Sequence, residues 1–107
     1  MKMTNVGKLL AGNMKRCRGI LHLTQEQLAE RVGVSPTTIG KIESGMRFAS
    51  PETLDRIAAA LEIHPSDLFA EESATITALR SKYEVRDRLE DKIKKAIEEA
   101  LDEESSG

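Results

Sequence analysis

If the chain is helical from Pro36 onward, a turn of about 100° per residue places Pro36, Thr37, Gly40, Lys41 and Ser44 on one arc. Ile39 and Ile42 fall on the opposite side. The arc carries hydroxyls, one ammonium and a glycine, and no large apolar side chain. Such groups donate hydrogen bonds to base edges and phosphate oxygens, and a threonine methyl can meet a thymine methyl. An ordinary solvated face favours Glu, Lys and Gln, which form helix more readily than Thr or Gly. A mid-helix glycine costs about 1 kcal/mol relative to alanine, so Gly40 points to close approach by another body. The wall of a DNA major groove fits that description. A plain solvent face is the alternative at this stage.

The arc needs two elements to hold it. Thr24 and Gln27 form a capping box, which predicts a helix from Gln25. Leu28, Ala29 and Val32 give that helix one apolar face. Gly33 ends it, because a residue without Cβ enters the left-handed region without steric cost. Ser35-Pro36 opens the next helix with a capping oxygen and a ring that presets φ. Two helices joined by a short turn make a helix-turn-helix.

The wider pattern is Leu23-Thr24-Gln25, Leu28-Ala29, Gly33-Val34-Ser35, Ile39, Ile42-Glu43, Gly45, then Pro51, Leu54, Ile57-Ala58 and Leu61. It resembles the lambda-repressor and Cro-like, XRE-type helix-turn-helix family, from about Val6 to Phe69 without an internal gap. The resemblance implies an all-α architecture: a five-helix lambda-repressor-like DNA-binding domain, its third helix lying in the major groove from Pro36 to Ser44. It implies base-facing roles for Pro36, Thr37, Thr38, Gly40 and Lys41, with Thr38 at the margin of the arc. Phosphate contacts fall to Thr24, Gln25, Ser44 and Arg47. It also implies an ion pair between Arg18 and Glu43 that ties the first helix to the third. Pro36 departs from relatives that carry glutamine or arginine there, which limits readout at that position to van der Waals contact.

Composition agrees with a small helical protein. The chain has 107 residues, 3% aromatics and no tryptophan, so its core must be aliphatic. The lone Cys17 precludes an internal disulfide, and with two histidines it is too little for a metal site. Cys17 is expected to be a packed small residue. No Ser/His/Asp grouping or phosphate-binding glycine loop indicates an enzyme, and no cofactor is implied. No segment reaches the ~20 apolar residues of a membrane span, and no signal peptide is recognisable, so a cytoplasmic location is expected. The net charge of −2 conceals an asymmetry. Residues 1–47 carry eight Lys or Arg against three acids, whereas residues 48–107 carry eight against fifteen. The cationic excess lies in the half that holds the motif, where phosphates would be neutralised.

In chain order, Met1 to Asn5 is expected to fray and Val6 to Leu21 to form the first helix, with Leu10, Met14 and Cys17 inward. His22 and Glu62 stand where relatives end a helix with glycine. Arg47 is the natural phosphate contact of the following loop, and Phe48 is expected beneath that loop. Ser50-Pro51 starts a fourth helix and His64-Pro65 a short fifth, so all three prolines fall at first helical positions.

Residues 1–70 are therefore read as the DNA-binding domain and 71–107 as a C-terminal helical segment. Its apolar residues follow helical spacing from Val85, so an amphipathic helix is expected to end before a disordered tail of residues 103–107. That helix could fold back, pair with a second copy or bind another protein through residues 71–104; a homodimer is favoured. Its heptads are imperfect, interrupted by Arg86, Glu90 and Lys92. The functional expectation is a transcriptional regulator, most simply a repressor, that binds double-stranded DNA. The alternative is a DNA-binding antitoxin that offers the C-terminal segment to its toxin.

Overall fold

A computed structural model describes residues 4–106. Its helices are α1 (Asn5–Ile20), α2 (Gln25–Val32), α3 (Pro36–Glu43), α4 (Pro51–Ala60) and α5 (Ala74–Ser106), with a 3-10 turn at Pro65–Phe69. No strand occurs among the described residues. Each helix start has a local cause. Thr4, Thr24, Ser35 and Ser50 each accept a backbone N–H through the side-chain oxygen, which satisfies one of the donors that a helix start leaves open. The Thr24–Gln27 capping box is reciprocal, at 3.0 and 2.9 Å. Pro36, Pro51 and Pro65 each open their element, as expected.

The helix ends also follow from residue chemistry. Gly33 adopts φ 81° and Gly45 φ 77°. His22 and Glu62 take φ 55° and 62°, the left-handed conformation that glycine would adopt with less strain. Their positions account for the turns after α1 and α4.

The apolar stripes meet in one core. Leu10, Met14 and Cys17 of α1 pack with Leu28 and Val32 of α2, Ile39 and Ile42 of α3, and Ile57 and Leu61 of α4. Leu68 closes it from the 3-10 turn. Asn13 is buried and fully engaged. Its Nδ2 donates to the carbonyls of Leu68 and Ala70 at 2.8 and 2.9 Å, and its Oδ1 accepts from Arg16 at 2.9 Å. It thereby fastens α1 to the segment leading into α5.

Several expectations change. Asn5 is the first residue of α1, capped by Thr4, rather than part of a frayed end; Met1 to Met3 lie outside the described residues. The fifth helix of the domain is a short 3-10 helix rather than an α-helix, and the Asp67 carboxylate accepts the His64 N–H at its start, at 2.9 Å. Phe48 is not beneath its loop: it is half exposed, with its ring beside Phe69, centroids 6.1 Å apart. The C-terminal helix begins at Ala74, where the Ser73 hydroxyl accepts the Ile76 N–H, and it continues through the expected disordered tail to Ser106. Its first turns fold back, burying Ile76 and Leu79 and half-burying Tyr83. Beyond them the helix projects, and residues 88–105 are all exposed.

Candidate nucleic-acid interface

The α2–turn–α3 unit presents a shallow surface lined by Gln25, Pro36, Thr37, Gly40, Lys41, Ser44 and Met46. Pro36, Thr37, Lys41 and Ser44 are exposed and Gly40 is half-buried. The helical arc drawn from the sequence is thus one continuous face in space. It stays exposed because Ile39 and Ile42, at 0% and 1% accessibility, anchor the other side of α3 in the core. Thr38 leaves the arc. Its hydroxyl lies 2.9 Å from the Ser35 hydroxyl, so it extends the α3 cap.

An ion-pair lattice sets the angle of that surface. Arg18 donates from Nε and Nη2 to the two Glu43 oxygens, both at 2.9 Å, and from Nη1 to the Leu23 carbonyl. The Glu43 side chain is 3% exposed and that of Arg18 23%, so the carboxylate depends on its partners for solvation. The hydrogen bond Arg18 donates to Glu43 raises the Arg18 pKa further above its ordinary value, despite partial desolvation. Gln25 joins the lattice, donating from Nε2 to Glu43 Oε1 at 3.1 Å. The start of α2 and the end of α3 are therefore cross-linked through one carboxylate. An amide nitrogen has two hydrogens, so the second is left to donate outward.

Gly40 carries the strongest indication of what the face meets. A Cβ built there would touch only the Gln25 carboxamide, at 3.6 Å, which is ordinary contact distance. The chain's own packing does not require the glycine. Thr24 caps α2 next to Gln25 in the chain, and Arg47 is exposed in the loop after α3, next to Met46 in the chain. The Ser44 hydroxyl donates to the Lys41 carbonyl in the last turn of α3.

Sequence reasoning missed Met46 and the Gln25–Glu43 bond. Met46 is 69% exposed at the edge of the surface, and its placement depends on the left-handed turn at Gly45. The Gly45 signal was visible, but not the direction in which the loop would leave it. Gln25 and Glu43 lie 18 residues apart, with no local pattern linking them.

Residues 14–68 match the family profile HTH_3, described as helix-turn-helix. The chain belongs to this XRE-type helix-turn-helix family. The helix-turn-helix chain is 40% identical over 57 residues to the control protein C.SmaI of Serratia marcescens, covering 53% of itself and 68% of that protein. It is 38% identical over 52 residues to an HTH-type transcriptional regulator of Mycobacterium tuberculosis, covering 49% of itself and 37% of the regulator's length. Among solved structures, the restriction-modification controller protein C.AhdI from Aeromonas hydrophila superposes with a TM-score of 0.57 at 30% identity. That match covers 59% of this chain and 96% of C.AhdI. The clp gene regulator ClgR from Corynebacterium glutamicum gives a TM-score of 0.57 at 21% identity, over 83% of this chain and 87% of that one, a likeness of fold.

Proposed function

We propose that this helix-turn-helix protein regulates transcription by binding a specific double-stranded DNA site, and that it represses by occluding polymerase. The carrying observation is the exposed Pro36–Thr37–Gly40–Lys41 face, in which a glycine that the fold does not need sits between a threonine and a lysine. In this reading the N-terminal part of α3 enters the major groove while α2 crosses the backbone. Thr37 and Lys41 read base edges, the Lys41 ammonium donating to guanine O6 or N7. Pro36 supplies surface contact alone. Gln25, Ser44, Arg47 and the N-terminal N–H groups of α2 near Thr24 hold phosphates and set the register. Thr38 supports the helix start rather than reading a base. The work takes place in the cytoplasm.

Selection of bound sites from random duplexes tests the proposal, followed by titration of variants on the selected site. Lys41→Ala is expected to weaken specific binding by about 1–3 kcal/mol and to relax preference at one base position. Gln25→Ala is expected to weaken all sequences alike. Recovery of no consensus from the wild-type protein would overturn the reading.

A further inference from the structure

The projecting part of α5 is a helix with an apolar side that no described residue covers. Leu89 and Ile93 are 54% and 59% exposed, and Val85, Ile97 and Leu101 are open to a similar degree. An uncovered apolar stripe of this length marks a surface made for another body. Leu89 and Ile93 of this stripe belong to a seam, which Val85 and Ile97 flank. Lys82, Arg86, Leu89, Ile93, Ala96, Ala100 and Glu103 recur at alternating intervals of four and three, the spacing by which helices pair side by side. The seam is cationic at its start, apolar in the middle and acidic at its end. The distal acidity is general: Glu98, Glu99, Asp102, Glu103 and Glu104 follow Lys95, and no cation lies beyond it.

We infer that this face takes a second copy of the same chain, with the two α5 helices running antiparallel and centred between Ile93 and Ala96. In that register Arg86 of one protomer lies opposite Glu103 of its partner. Leu89 lies opposite Ala100, and Ile93 opposite Ala96, so each large side chain meets a small one. Lys92, flanking the seam, comes beside Glu99 of the other protomer, and charges at flanking positions set helix orientation. Parallel pairing does the reverse: Arg86 meets Arg86, Glu103 meets Glu103, and Glu99 approaches Glu104. It also sets Ala96 and Ala100 against themselves, which leaves the centre thinly packed. Two of the residues that interrupt the heptads, Arg86 and Lys92, are thus among those that select the orientation. On the Arg86 side, the contact to be exchanged is weak. The Arg86 Nε hydrogen bond to Glu90 is long, at 3.3 Å, and both side chains are more than half exposed.

The test uses the full chain without DNA, so its failure leaves the DNA-binding reading untouched. Sedimentation equilibrium is expected to show a dimer. Arg86→Glu should raise the dimer dissociation constant about tenfold or more, because it sets acid against acid. Adding Glu103→Arg to the same chain should restore dimerisation, since the swapped charges again face each other only in the antiparallel arrangement. Both residues are exposed, so helical circular dichroism should be unchanged. In a mixture of Leu89→Cys and Ala100→Cys chains, oxidation is expected to give the mixed disulfide, with the buried Cys17 silent in the wild-type control. A monomer overturns the inference, as does a dimer in which Leu89→Cys links to itself or the double charge swap fails to rescue. A chain that stays single until a different protein is supplied overturns it equally.

Discussion

At Gly40, inside α3, a methyl group would rest 3.6 Å from the Gln25 carboxamide and meet nothing closer. Alanine there should raise stability by about 0.5–1 kcal/mol through helix propensity, read as an upward shift in the denaturant midpoint. The same substitution should lower affinity for the selected DNA site if the face lies against a groove wall. A variant that is more stable and binds equally well would take Gly40 off the interface. Cys17 makes a different single-residue prediction. Burial is the main influence on its thiol, raising the pKa from 9.0 to about 11. The folded state therefore keeps a proton that the unfolded state loses between these values. Stability should be unaffected below pH 9 and decline as pH rises from about 9 toward 11, by up to about 3 kcal/mol. Chemical denaturation across that range should show the decline in the wild type, with this component absent in Cys17→Ala. The thiol should also resist alkylation near neutral pH.

At the scale of elements, the working angle of α3 depends on a carboxylate that would be poorly solvated alone. Arg18→Met removes the bidentate partner and leaves Glu43 buried with Gln25 as a remaining donor. The expected loss is about 3 kcal/mol, at the low end for a broken buried pair because Arg18 is partly exposed. Thermal denaturation measures it. DNA affinity should fall as well, since α1 no longer holds the C-terminal end of α3. The ion pair was legible only through family resemblance, whereas the starts of α2, α3 and α4 were legible from capping residues and prolines. Those signals act over three or four residues, so they survive without knowledge of the fold. The beginning of α5 was less legible. Its Ser73 cap has no proline or acid to emphasise it, and Ile76 and Leu79 are too few to establish a period.

For the molecule as a whole, the proposed DNA-binding domain and the proposed pairing helix occupy separate parts of the chain. Among the described residues, the apolar core takes Ile76, Leu79 and Tyr83 from α5, with exposed polar contacts from Tyr83 to Glu62 at 2.7 Å and between His22 and Asp87 at 3.0 Å. A chain ending after Arg88 retains all of these. It should therefore melt within a few degrees of the full chain under dilute conditions, while losing self-association in sedimentation. Its affinity for a two-half-site operator should drop, with binding to a single half-site changing little. A large loss of stability would show that the distal helix supports the domain.

The residues alone determined that the chain is helical, where α2, α3 and α4 begin, and which face of α3 turns away from the core. All three are consequences of short-range backbone chemistry and a 3.6-residue period. Tertiary packing decided what those faces meet: Thr38 turned to its cap, Gln25 bonded to Glu43, Met46 carried to the edge of the surface, and α5 half docked and half free. Such outcomes depend on contacts between residues far apart in the chain, and a pattern read along one dimension contains no distance across the other two.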